Sequence, residues 1–294
     1  RPVAAQRVRS LKSYVGGGKP VTVLNADRDT LAVDGDASAP LEGSSRLFAD
    51  MLQSFDLTAA VDDFVVVSVF VNPTQFGPAE DFDAYPRRLQ EDASIAAENG
   101  AHLVFAPTVE EMYPPGASTF VNVEGLTASL CGAFRPGHFR GVTTVVGKLL
   151  NIVAPDRAYF GEKDYQQMLV IRKMVRDMHM PVEVMACPTV READGLAMSS
   201  RNAYLSAEQR AAAPAIRRGL LAGEQVVRQG GSGADAVQAV IAQVATEPIL
   251  KVQYVEAVDP ETLTRPDHNG APMLLAAAVF AGDTRLIDNI VVEG

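Results

Sequence analysis

Tyr159-Phe-Gly-Glu-Lys-Asp-Tyr-Gln-Gln167 is the stretch on which the fold turns. An apolar run closes on Gly161, and from Asp164 to about His179 the residues Met168, Ile171, Met174 and Val175 recur at helical spacing. Lys163 is therefore expected where a strand turns into a helix, with the unpaired N–H groups of the helix opening into the same space. That geometry holds phosphate, and a lysine beside it adds a point charge. An isolated Glu-Lys-Asp triplet is more simply a solvated turn. Two neighbours weigh against that: Gln166 and Gln167 offer neutral donors and acceptors on the first helical turn, and a second polar cluster, Met198-Ser-Ser-Arg-Asn202, follows downstream.

Working back from this stretch, strands and helices alternate. Val21 to Leu24 reads as a short buried strand, after a helix over Val3 to Tyr14 that ends in Gly16-Gly-Gly18. Asn25 to Ser45 is a long loop, and Ser45 to Phe55 regains helical character. Phe64 to Val71 is β-branched and apolar on both faces, as suits a parallel strand covered on both sides. It runs into Asn72-Pro-Thr-Gln-Phe-Gly77, a polar loop at the strand's carboxyl end, where open α/β sheets place ligands. A helix within Asp81 to Asn99, a strand over Leu103 to Ala106, a small strand over Phe120 to Val123, a loop over Leu130 to Gly141 and an apolar helix over Val142 to Val153 follow. Arg157 to Phe160 leads into the central stretch, and Val182 to Met185 adds a strand. The pattern is that of a doubly wound parallel sheet.

Beyond about Val190 the pattern changes. One long helix over Ser206 to Gln229, a second over Asp235 to Thr246, and strands over Val252–Val258, Met273–Phe280 and Leu286–Val292 make a small α+β unit, with Ala281-Gly-Asp283 as a hairpin turn. Residues 1–189 are thus expected to form the larger domain and 190–294 the smaller, with Met198 to Asn202 at the junction, facing the ligand crevice.

The 294 residues carry 36 acidic and 26 basic side chains, a net charge of -10. That balance argues against nucleic acid or an anionic membrane surface as the main partner, but not against an anionic small molecule. Cys131 and Cys187 are the only cysteines, without metal-ligand spacing, and read as reduced thiols of a cytoplasmic protein. The longest apolar run is too short to span a bilayer, and no signal peptide is visible in a chain that begins at Arg1.

Asn72-Pro-x-Gln-Phe-Gly, Tyr85-Pro-Arg, Arg135-Pro-Gly-His-Phe, Gly161-Glu-Lys-Asp-Tyr-Gln-Gln and Asp194-Gly-Leu-Ala-Met-Ser-Ser-Arg-Asn202, in this order, resemble the pantoate–β-alanine ligase family from about Val65 to Arg285-Leu-Ile-Asp-Asn289. The resemblance implies a Rossmann-like α/β domain with a smaller α+β C-terminal lid, usually as a homodimer. It implies that pantoate and MgATP form pantoyl adenylate and pyrophosphate, after which β-alanine displaces AMP. On that resemblance Gly161, Lys163, Asp164, Ser199, Ser200 and Arg201 take the nucleotide, with Lys163, Ser199, Ser200 and Arg201 acting on its phosphates. Asn72, Gln75 and Gln167 take pantoate, and Glu91 and Asp92 take magnesium. Neutral amides suit a nucleophilic carboxylate, which an aspartate would repel and an arginine would sequester. Arg135 and His138 receive no defined role.

The N-terminal stretch departs from the pattern. Where the family's first strand runs into Pro-Thr-Met-Gly and a His-x-Gly-His turn, Val21-Thr-Val-Leu24 is followed by Asn25-Ala-Asp-Arg28. Leu41-Glu-Gly-Ser44 matches only loosely, and the four histidines are His102, His138, His179 and His268. Two other readings stand beside a pantothenate-forming ligase. One is a weakly active or silent nucleotide- and pantoate-binding homologue. The other is a related nucleotidyltransferase with another acid substrate, which would need other residues at Gln75 and Gln167.

Overall fold

The computed structural model describes the backbone of residues 21–25 and, in full, residues 64–77, 82, 89–266 and 271–293. The expected helices at Val3–Tyr14 and Ser45–Phe55, the long loop beyond Asn25, the Leu41-Glu-Gly-Ser44 stretch and Tyr85-Pro-Arg lie outside these residues.

Five strands form one sheet: β1 (Val21–Asn25), β2 (Phe64–Ser68), β3 (Leu103–Phe105), β4 (Arg157–Gly161) and β5 (Glu183–Cys187). Their order is β3-β2-β1-β4-β5 and every pairing is parallel. The order reverses between β1 and β4, so the crevice outside their carboxyl ends is a topological switch point, where such sheets bind ligands. The expected doubly wound architecture is present.

The two-sided apolar pattern of β2 has its structural counterpart. Val65 and Val67 pack with Ile95 and Ala96 of α1 (Leu89–Glu98), while Val66 packs with Leu149 and Val153 of α4 (His138–Val153). The short helices α2 (Val109–Met112) and α3 (Leu130–Phe134) precede α4, and α5 (Tyr165–Asp177) follows β4. Two expectations are corrected here. Phe120 to Val123 is not a strand: the N–H of Val121 donates to Thr144 Oγ1 at 3.0 Å and its carbonyl accepts from Thr143 Oγ1 at 2.7 Å, so helix hydroxyls take the place of a ladder. Leu130 to Gly141 is not a single loop, because only the residues around Pro136 and Gly137 interrupt two helices.

The second unit holds α6 (Ala207–Ala212), α7 (Ala215–Arg228), α8 (Gly233–Val244) and an antiparallel sheet of β6 (Leu250–Val258), β7 (Met273–Ala281) and β8 (Thr284–Val292). The expected single helix over Ser206 to Gln229 is broken at Pro214, whose ring clashes with the preceding turn and whose nitrogen has no hydrogen to donate. Gly282 turns the β7–β8 hairpin at φ 61°. One core joins α7, α8 and the antiparallel sheet. Another runs across both units, packing Leu274 and Ala276 of β7 against Val170, Ile171 and Met174 of α5. Among the described residues no helix is long and apolar enough to cross a membrane.

Candidate active site

β4 ends at Gly161 and passes through a single 3-10 turn, Glu162–Asp164, into α5. Lys163 is thereby placed at a strand-to-helix junction, only 5% exposed, with Nζ 3.5 Å from Asp164 Oδ2. Residues 163–167 line a cleft of about 620 Å³ between the two units. The N-terminus of α5 therefore opens onto the cleft, as phosphate binding requires.

The cluster at 198–202 reaches the same cleft. A short hairpin closed by an Arg191–Ala197 bridge leads to Ser199, which caps the 3-10 turn Ser200–Tyr204 by accepting from the N–H of Arg201 at 3.3 Å. Ser199, Arg201 and Asn202 line the cleft. Ser200 does not: it is 1% exposed and packed beneath the turn. Gly161 supports the junction from the end of the strand without lining the cavity.

The two adjacent glutamines of α5 have different fates. Gln166 is buried, its Oε1 accepts from the N–H of Cys131, and its Nε2 donates to the carbonyls of Leu126 and Ser129, both at 2.8 Å. It fastens α5 to the loop before α3 and is not free for a ligand, contrary to the expectation drawn from the sequence. Gln167 lines both the large cleft and a smaller cavity of about 30 Å³, and so stands in the wall between them.

That smaller cavity brings Gln167 together with Asn72 and Gln75, against Phe70, Val142, Val146 and Leu149. Asn72 is 2% exposed and its amide is spent on structure. Its Nδ2 donates to the carbonyl of Gly141 and to Gln75 Oε1, both at 3.2 Å, and its Oδ1 accepts from Tyr113 OH at 2.8 Å and from Thr74. Asn72 thus orients Gln75. Burial raises the Tyr113 hydroxyl's pKa against the lowering effect of Thr74 and Asn72, so it is a neutral donor. His138 Nδ1 lies 2.8 Å from the carbonyl of Gln75, which can only accept, so this nitrogen carries the hydrogen. Arg135 Nη1 is 3.2 Å from His138 Nε2. These two residues, without a role in the sequence reading, pin the Gln75 turn to the start of α4. The signal was there in Arg135-Pro-Gly-His, but not its target, about 60 residues earlier.

Glu91 and Asp92 stand in the first turn of α1, and neither lines either cavity. Successive helix positions diverge by about 100°, and Asp92 is buried while Glu91 is only half-buried. Among the described residues no three His, Cys, Asp or Glu side chains converge as a metal cage.

Several known proteins match most of this chain. The family model for pantoate-beta-alanine ligase matches residues 52–291. The pantothenate synthetase of Moorella thermoacetica is 56% identical over 233 residues, which span 79% of this chain and 82% of that one. That of Pseudomonas aeruginosa is 53% identical over 233 residues, again 79% and 82% of the two chains. Among solved structures, pantothenate synthetase from Thermus thermophilus gives a TM-score of 0.83 at 44% identity, over 98% of this chain and 99% of the other. Pantoate-beta-alanine ligase from Francisella tularensis, complexed with beta-gamma ATP and beta-alanine, gives 0.70 at 28% identity, over 96% and 93%.

Proposed function

The chain belongs to the pantoate–β-alanine ligase family, and from that premise we propose that it condenses pantoate with β-alanine at the expense of ATP, through pantoyl adenylate. The observation that carries the reading is the meeting of Lys163, Asp164, Gln167, Ser199 and Arg201 in one cleft at the switch point of a parallel sheet, with Gln167 shared by a second, largely apolar cavity. The large cleft takes the nucleotide. The small one opens to take pantoate, whose branched carbon suits Val142, Val146 and Leu149 and whose hydroxyls and carboxylate suit the amides of Gln75 and Gln167.

In the first step the pantoate carboxylate attacks the α-phosphorus and pyrophosphate leaves. Lys163 offsets the charge developing on the leaving group, helped by the N-terminus of α5 and by Arg201. Asp164 and Ser199 orient the nucleotide, while Gly161 and Ser200 hold the backbone on which these groups sit. In the second step the neutral amine of β-alanine attacks the acyl carbon and AMP leaves. Magnesium would be held by the phosphates of ATP and water, with Glu91 and Asp92 of α1 as its protein carboxylates, and would offset phosphate charge. Residues 1–189 bind nucleotide and pantoate, residues 190–294 act as the lid, and the working form is a cytoplasmic homodimer, which sedimentation tests.

The decisive assay supplies ATP and β-alanine with and without pantoate and measures AMP and pantothenate. Pantoate-dependent release of both supports the reading. AMP release with a different acid, and none with pantoate, gives the site to another nucleotidyltransfer.

A second reading is favoured by one observation, the lack of any histidine before His102. On it the chain holds both substrates but forms the adenylate slowly, on the order of a hundredfold below a relative that has the His-x-Gly-His turn, one charge-directed donor being worth about 2.7 kcal/mol. Single-turnover rates of pyrophosphate release, compared with aminolysis of preformed pantoyl adenylate, separate the two readings.

A further inference from the structure

The turn that carries Lys163 is held from the far end of the chain. Asn289 Nδ2 donates to the carbonyls of Glu162 and Lys163, both at 2.9 Å and from 126 or more residues away. Asn289 is 8% and Lys163 5% exposed, so one largely buried amide satisfies two backbone carbonyls of the turn. The turn has no side-chain cap of its own. The preceding residue of β8, Asp288, is 4% exposed and takes Arg191 in a two-point ion pair at 2.7 and 2.9 Å. Arg191 also donates to the carbonyl of Gly195 at 3.1 Å, bracing the hairpin that delivers Ser199 and Arg201. Asp288 Oδ1 further accepts from the N–H of Asn289 at 2.8 Å. Successive strand residues project to opposite faces, which lets two neighbours hold two different segments.

We propose that Asp288 and Asn289 are a positioning pair for adenylate formation: from consecutive positions of β8 they fasten the Lys163 turn and the hairpin before Ser199, and so set the spacing of the two segments that line the cleft. The proposal rests on the reading of Lys163 as the group that offsets charge on pyrophosphate. β8 belongs to the second unit and Lys163 to the first, so the pair also makes the lysine's placement depend on how the two units are seated. Arg285-Leu-Ile-Asp-Asn289, which otherwise has no part in the chemistry, acquires one. Without the Asn289 amide both carbonyls lose their donor and the turn loses its tie to β8. A displacement near 1 Å at a reacting group costs on the order of a hundredfold in rate.

The test uses the full chain and compares Asn289→Ala, Lys163→Ala and the double variant in single turnovers. One assay follows pyrophosphate release from ATP and pantoate, the other AMP release from preformed pantoyl adenylate and β-alanine. In N289A the first rate is expected to fall on the order of a hundredfold while the second stays near wild type. Adding N289A to K163A is expected to cost little more, since the amide acts through the lysine. Asn289→Ser, which returns one hydroxyl donor to the same space, is expected to recover part of the rate, and it carries the measurement if N289A does not fold. A folded N289A that forms adenylate at the wild-type rate overturns the proposal, as does the same rate in N289S where N289A does not fold, equal slowing of both half-reactions, or a full additive loss in the double variant. If K163A itself keeps the wild-type rate, the assignment of Lys163 falls first and the pair's role with it. That result is distinct from an inactive K163A beside an unaffected N289A.

Discussion

Gly141→Ala is the perturbation whose size the structure defines best. Gly141 is buried in the first turn of α4, where the helix backbone lies against the Asn72–Gly77 loop. A Cβ there would stand 2.4 Å from the carbonyl oxygen of Thr74, 2.6 Å from its carbonyl carbon and 2.7 Å from the nitrogen of Gln75. All three are backbone atoms, so no flexible side chain can swing aside. Ordinary contact begins at 3.4 Å, so helix and loop must separate by about 1 Å. That stretches the 3.2 Å bond from Asn72 to the Gly141 carbonyl and the 2.8 Å bond from His138 to the Gln75 carbonyl beyond useful range. Overpacking costs about 1–3 kcal/mol and each lost bond about 0.5–1.5, against a helix-propensity gain of about 1 kcal/mol. The expected net loss is about 1–5 kcal/mol, read as a lower urea midpoint with an unchanged slope. Because the loop that moves carries Gln75, pantoate affinity should fall while ATP affinity holds. Gly147→Ala on the same helix is the control: its nearest neighbours, Met174 Sδ and Val121 Cγ2, lie at 3.8 Å, so the methyl fits and stability rises by about 0.5–1 kcal/mol. A G141A protein that unfolds at the wild-type midpoint and binds pantoate normally would refute the account of this contact.

Three further outcomes follow from the site and the core. Lys163→Ala should lower the rate of adenylate formation by about 2.7–4 kcal/mol of transition-state stabilisation and leave ATP binding measurable; pyrophosphate release near wild type would remove the lysine from the mechanism. Gln167→Ala leaves substrate groups without partners at about 1–3 kcal/mol, expected in pantoate binding by calorimetry with ATP affinity nearly unchanged; equal weakening for both ligands would point to a collapsed wall. Burial, with the charge of Glu162 adding to it, pushes the Cys187 thiol to about 12 from 9.0, and burial does the same to the Tyr254 hydroxyl, to about 12 from 10.0. Both are bound protons that the folded chain holds more tightly, so their contribution is intact below pH 9 and is lost as pH rises from 9 to 12. Thermal unfolding across that range should show the fall, and at about pH 8, below both values, iodoacetamide should leave Cys187 unmodified until the chain unfolds.

Much of this architecture could be read from local pattern because the local pattern agreed with the global packing. The β-branched run at Phe64–Ser68 is buried on both faces since helices cover both faces of the sheet, and the glycine before Lys163 ends a strand where α5 begins. Reading failed where the partner was distant or where two local signals competed. Phe120–Val123 has strand composition, but its backbone bonds go to threonine hydroxyls 22 and 23 residues away, which no periodicity announces. The Ala-rich run after Ser206 looked continuous, yet Pro214 was the stronger signal. Gln166 and Gln167 are the same residue type on one turn, and only their rotation about the α5 axis decides that one braces α3 and the other borders both cavities.

The same distances also divide the two half-reactions. Both side chains proposed to act on pyrophosphate sit on short turns: Lys163 on Glu162–Asp164, Arg201 on Ser200–Tyr204. Both segments are tied to β8, the Lys163 turn through Asn289 and the hairpin before Ser199 through Arg191 and Asp288, and on the proposed role of that pair their spacing is set there. The amides that border the pantoate cavity are held differently. Gln167 lies on a 13-residue helix, and Gln75 is pinned by Asn72, His138 and the backbone of α4. On the roles proposed for these residues, adenylate formation depends on how the two units are seated, whereas the amides proposed to hold pantoate belong to the larger unit. Perturbations of β8 should separate rate from pantoate affinity, and perturbations of the Gly141 contact should join them.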